Sequence, residues 1–121
     1  MAARSRPRVK RVYEDPGPDD GHRVLVDRMW PRGLRKDAAA VDTWLRDVAP
    51  SHELRRWYGH DPERYGEFAE RYRAELADAD RSAALERLRE LASAGPVTLL
   101  TSVRDTRYAH TALLVDVLAE G

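Results

Sequence analysis

Apolar and polar positions alternate over residues 8–13, Arg-Val-Lys-Arg-Val-Tyr, the period of a half-exposed strand. Asp15-Pro-Gly-Pro-Asp-Asp-Gly21 is turn chemistry throughout. Val24-Leu-Val-Asp27 is a short apolar run ending in charge, which suits a buried strand. The gap between these two strands is too short for a helical crossover, so they form either a hairpin with a long loop or strands that are not neighbours. Arg28-Met-Trp-Pro-Arg-Gly33 is a loop, because Pro31 and Gly33 interrupt any regular pattern. Residues 42–49 are predicted as a short helix built on Val41, Trp44, Leu45 and Val48 and ended by Pro50. Ser51 caps a following turn that carries Leu54, Trp57 and Tyr58.

Three further helices and one strand complete the pattern. Asp61 as N-cap and Pro62 at the first helical position open a helix whose apolar stripe is Tyr65, Phe68, Tyr72 and Leu76. Asp80 is the expected cap of the next helix, which carries Leu85, Leu88 and Leu91 and stops at Gly95-Pro96. Val97-Thr-Leu-Leu-Thr-Ser102 is the clearest strand, and a last helix is expected over residues 106–118. Apolar strands followed by helical segments predict an α/β fold: a small, mostly parallel sheet covered by helices, in a Rossmann-like three-layer arrangement. Residues 8–121 read as one domain behind a flexible basic N-terminal tail, 1–7.

Composition narrows the classes of function. With 21 basic and 21 acidic side chains the chain is formally neutral, which disfavours a dedicated nucleic-acid binder. The basic residues before Glu14 still leave room for a nucleic-acid arm beside the plainer reading of a frayed tail. The chain has no cysteine, so thiolate chemistry and sulfur-ligated metals are excluded. No apolar run approaches a membrane span and no signal sequence opens the chain, so the expected location is cytoplasmic. No Gly-rich phosphate loop, nucleophile elbow or metal-binding helix motif appears, and no cofactor or metal is expected.

Candidate chemistry gathers where two strands end. Ligands of open α/β sheets sit beyond the carboxyl ends of the strands, which here means loops 27–33 and 101–107. The first offers Asp27, Arg28, Trp30 and Arg32; the second offers Thr101, Ser102, Arg104 and Asp105. Forked guanidiniums suit a phosphate or carboxylate. The plainer alternative is bracing, with Asp27 paired to Arg104 and Asp105 to Arg28. His110 shares a helical face with Leu113, Leu114 and Val117, which directs it toward the sheet beside the second loop. It is a candidate acid/base, or else a satisfied core histidine. His60-Asp61-Pro62 is a third candidate, with Asp61 already engaged as a cap and His60 expected near the surface, where a lone histidine is usually inert; His22 and His52 attract no role.

Lys10-Arg-Val-Tyr13, the run from Gly21 to Gly33 with its Val-Asp-Arg-x-Trp-Pro-Arg-Gly core, Trp57-Tyr-Gly-His-Asp-Pro62, and Pro96-Val-Thr-Leu-Leu followed by Asp105 and His110 together resemble one family. It is the YeaO-like branch of the family called domain of unknown function 488, and the likeness spans about residues 8–118. The resemblance implies a compact bacterial α/β domain and supplies no reaction. Where many relatives have Asn-His-Ala, this chain has Ala109-His110-Thr111, and the cysteine common in the broader family is absent.

Two functional expectations follow. One is a hydrolase or transferase acting on an anionic small molecule, with Arg28, Arg32 and Arg104 holding it beside Trp30 and Ser102, and with Asp27 or Asp105 orienting His110. The other is a binding module without catalysis for a nucleotide, a nucleic acid or a protein.

Overall fold

The computed structural model describes residues 6–37 and 40–120. The first five residues of the basic tail lie outside these. Four strands form one all-parallel sheet: β1 (Arg8–Arg11), β2 (His22–Leu25), β3 (Thr43–Trp44) and β4 (Val97–Thr101), in the order β1-β4-β2-β3. The strands read as β1 and β2 are thus not neighbours. The last strand in sequence lies between them, pairing Val9 with Leu99 on one side and Val24 with Leu99 on the other. All five residues of β4 are buried, as a central parallel strand requires.

Side-chain alternation divides the core in two. Val24, Val26, Val97 and Leu99 face the four helices, α1 (His52–Tyr58), α2 (Tyr65–Glu75), α3 (Ala79–Ala94) and α4 (His110–Glu120). Their neighbours in register, Leu25 and Leu100, face the other way and pack with Val12 against Trp30, Leu34, Val41 and Trp44. The layer over this second face is therefore built by the segment after β2 rather than by helices.

The predicted helix over residues 42–49 is replaced by β3 and a single 3-10 turn, Arg46–Val48. The sheet edge takes the backbone groups a helix would have used: the Asp42 amide donates to the Arg23 carbonyl at 2.9 Å and the Leu45 amide to the Leu25 carbonyl at 2.9 Å. Tertiary pairing overrides local periodicity here. α3 is capped two residues earlier than expected, by Asp78, whose carboxylate accepts from the Arg81 amide at 2.9 Å, with Asp80 in the first turn. The last helical stretch is broken at Ala109, which is extended (ψ 170°) between a 3-10 turn, Thr106–Tyr108, and α4.

At the amino ends of β2 and β4 a buried ion cluster braces the sheet. Asp20 and Arg23 are each almost wholly buried and meet at 2.5 Å, with the Lys10 ammonium 3.0 Å from the same carboxylate. Arg23 also donates to the carbonyls of Ala40 at 2.7 Å and Glu14 at 3.0 Å, while the Thr98 hydroxyl donates to the Asp20 carbonyl at 2.8 Å. Gly21 has φ +64°, and a Cβ there would come within 2.2 Å of the Pro96 carbonyl oxygen. The Gly17 amide, acting against the opposing effect of burial and together with Lys10 and Arg23, brings the Asp20 carboxyl down from 3.8 to about 2.

Removing one partner of a buried pair leaves a charge uncompensated. Arg23→Ala is expected to cost roughly 3–5 kcal/mol in urea unfolding, whereas Arg35→Ala, which breaks the exposed pair with Asp37, should cost about 1 kcal/mol or less. Because the folded Asp20 carboxyl is depressed, its contribution is present above the unfolded value of 3.8 and is lost as the pH falls toward about 2. An unfolding series from pH 5 to pH 2 checks this: the wild type loses stability across that window, and Asp20→Asn shows a shallower loss.

Candidate functional site

Asp27 stands just past the end of β2 and reaches across to the end of β4. Its carboxylate accepts from the Thr101 hydroxyl at 2.7 Å, the Ser102 amide at 2.8 Å and the Ser102 hydroxyl at 2.9 Å. Its own carbonyl receives the Trp44 indole N–H at 2.7 Å, tying the same point to β3. His110, the first residue of α4, brings Nε2 to 3.2 Å from Asp27 Oδ1. The contact is close but is not aligned as a hydrogen bond, since Nε2 has no partner that meets hydrogen-bond geometry. Burial pushes the Asp27 carboxyl up. The His110 ring, the Ser102 amide and the Thr101 hydroxyl outweigh burial, and the carboxyl lies below its ordinary 3.8.

A cavity of about 530 Å³ opens over this pair. Asp27, Ser102 and His110 form part of its lining, and Tyr58, Phe68, Pro50 and Ala109 supply apolar surface. Arg28, Arg55 and Arg56 line it as well, joined by His52 and His60. The apolar surface is fixed: the Tyr58 ring stacks on Phe68 at 4.1 Å, and its hydroxyl donates to the Tyr108 carbonyl at 2.5 Å. Burial pushes the Tyr58 phenol up to about 12, so it stays a neutral donor. Among the described residues, Arg28, Arg55 and Arg56 have no carboxylate within ion-pair distance, whereas Arg23, Arg35, Arg71, Arg73, Arg81 and Arg107 all do.

The residues proposed from sequence divide between several places. Asp27, Arg28, Ser102 and His110 line the one cavity. Arg104 and Asp105 line a second, adjoining one. Asp105 does not approach His110. It caps the 3-10 turn and binds the Arg107 fork at 2.8 and 3.0 Å, and this fork with the Arg107 amide holds the carboxyl at about 2. Neither of the bracing pairs considered above forms: Asp27 bonds to β4 and Asp105 to Arg107. Trp30 donates to the Leu34 carbonyl at 2.7 Å and meets the Trp44 ring edge-on at 5.4 Å, on the face of the sheet without helices. Arg32 is exposed, accepts the Tyr13 hydroxyl at its carbonyl, and lines neither cavity.

The sequence assigns no role to His52 and leaves His60 as a surface candidate, and it passes over Arg55 and Arg56. Their signal was present as an adjacent basic pair between Leu54 and Tyr58, the two positions of α1 that are buried. Nothing local says that α1 lies beside the ends of β2 and β4. Among the described residues, no group of three or more histidines and carboxylates converges as a metal site would require, and no helix is long and apolar enough to cross a membrane.

Comparison with known proteins agrees with the sequence motifs. An uncharacterized protein of Mycobacterium tuberculosis is 54% identical over 118 residues, covering 98% of each chain, and an uncharacterized protein of Mycobacterium bovis matches to the same extent. The uncharacterized protein YeaO of Escherichia coli is 41% identical over 107 residues, covering 88% of this chain and 91% of its own. No solved structure gives a significant match. Residues 7–121 match the family DUF488-N3i, described as the inactive DUF488-N3 subclade, and with that coverage the chain belongs to it.

Proposed function

We propose that the protein binds a small anionic molecule, of the phosphate or carboxylate class, in the cavity over Asp27 and His110, and that it does so without turning it over. The observation that carries this reading is the convergence of three guanidiniums without carboxylate partners, Arg28, Arg55 and Arg56, on one cavity. Among the described residues ten of the other fifteen arginines meet a carboxylate, and a cavity lined by three that do not offers its forked donors to an anion. The volume lies within the range of small-molecule sites.

Absence of catalysis is supported by how the polar groups are used. Ser102 donates its hydroxyl to Asp27, and His110 faces that same carboxylate, so the histidine and the hydroxyl are not arranged as base and nucleophile. The description of the family as an inactive subclade agrees. A second reading, a hydrolase or transferase with His110 as acid/base, is favoured by the contact of His110 with Asp27 at the cavity wall, an arrangement suited to holding an imidazole in place.

A thermal-shift series with inorganic phosphate, pyrophosphate and citrate tests the binding. A ligand at about 100 times its Kd adds roughly 2.7 kcal/mol, which moves the midpoint of a domain this size by several degrees. The shift is expected in the wild type and should be reduced at least about tenfold in apparent affinity in Arg28→Ala and Arg55→Ala, each losing a charge-assisted contact. Equal shifts in all three proteins would sink the assignment. Product release from a bound phosphate ester, abolished in His110→Ala, would replace the binding reading with the catalytic one.

The site also requires Asp27 to be ionised. Since its folded carboxyl is depressed, it stabilises the protein above the unfolded value of 3.8 and loses that contribution as the pH falls. Asp27→Asn should therefore cost about 1–3 kcal/mol at neutral pH. The gap to wild type narrows below the unfolded value, which paired urea titrations at pH 7 and pH 3 would read directly.

A further inference from the structure

Beside the cavity lies a second one of about 360 Å³, lined by His60, Pro62, Val103, Arg104, Asp105 and Tyr108. His60 and Val103 line both, so the two share a wall. The balance of their chemistry differs. The first carries three guanidiniums, Arg28, Arg55 and Arg56, over the Tyr58 and Phe68 rings. The second carries one guanidinium, Arg104, with the His60 imidazole, the Tyr108 phenol and the Asp105 carboxylate. Planar side chains of these kinds stack on planar ligands. Tyr108 remains 42% exposed, even though its ring meets Tyr65 edge-on at 5.7 Å.

The residue at the shared wall is unusual in its backbone. His60 has φ +55°, the single non-glycine residue with positive φ among the described residues, and it directly follows Gly59 at φ +54°. Left-handed backbone disfavours any residue with a Cβ. The turn does not call for an imidazole here, because Gly59 already ends α1 and Asp61 caps the next turn through its own carboxylate. A side chain kept in a strained conformation at a cavity wall is a feature associated with ligand sites. The His60 ring lies 6.0 Å from that of Tyr58, a residue lining the first cavity.

We propose that the two cavities form one bipartite site divided by His60, which takes a ligand with an anionic group at one end and a planar heterocycle at the other, the chemistry of a nucleoside monophosphate. The inference rests on the anion-binding reading above and adds the second half of the ligand. The anion lies among Arg28, Arg55 and Arg56, and the ring lies against Tyr108 and His60.

Calorimetric titration with inorganic phosphate, ribose phosphate and adenosine monophosphate separates the two ideas. In the wild type, adenosine monophosphate is expected to bind at least about tenfold more tightly than ribose phosphate, the scale of one base stacked on an aromatic ring. Tyr108→Ala removes that advantage and leaves phosphate binding intact, and Tyr108→Phe, which keeps the flat ring, retains it. His60→Gly also loses the advantage, while its melting midpoint without ligand does not fall, because glycine takes left-handed backbone freely. Equal affinity for adenosine monophosphate and ribose phosphate overturns the bipartite site and leaves the anion reading standing. An advantage that survives both Tyr108→Ala and His60→Gly overturns the placement of the ring. Failure of all three compounds to bind overturns both readings.

Discussion

The structure depends on the insertion of β4 between β1 and β2. A parallel strand buried on both faces must be apolar along its length and must find partners on each side, and Val97–Thr101 meets both conditions. Because the pairing is parallel, β2 and β4 begin together and end together. Two polar junctions are therefore available, one at each end of the same strand pair, and an aspartate occupies each.

The two aspartates show how similar ingredients reach different ends. Asp20, at the amino end, is closed in by Arg23, Lys10 and the Gly17 amide, and Gly21 lets the chain pass against Pro96 with no room for a side chain. Such a junction holds strands in register and has no space for a ligand. Asp27, at the carboxyl end, is bound on its protein side by Thr101 and Ser102, with a histidine as its remaining neighbour and a cavity above. The break at Ala109 is part of this arrangement, since it restarts the helix so that His110 is its first residue.

Charge is distributed on the same principle. The chain is neutral as a whole, with 21 basic and 21 acidic side chains. Exposed pairs such as Arg71 with Glu67 and Arg73 with Glu120 contribute little each to stability, but they occupy their guanidiniums locally. Several other arginines are also without such a partner among the described residues, but the loop after β2 and α1 bring three of them, Arg28, Arg55 and Arg56, to one cavity. The local balance decides what a surface attracts, and a formal total of zero conceals it.

Local pattern determined much of the molecule. The apolar run of β4, the turn chemistry before Gly21, the caps at Ser51 and Asp61 and the apolar stripe of α2 are written in residues near one another in the chain, because caps, turns and periodic faces act over a few residues. The grouping of Asp27, Arg28, Ser102 and His110 was also legible, since strand ends converge in any parallel α/β sheet. Tertiary structure decided the rest. Residues 42–49 became a strand and a 3-10 turn because the edge of β2 offered hydrogen bonds stronger in sum than local helical preference. Arg55, Arg56 and His60 line the cavity beside Asp27, and Arg32 and Trp30 do not, because which loop faces which depends on packing between elements far apart in sequence. Periodicity within one element carries no information about that packing.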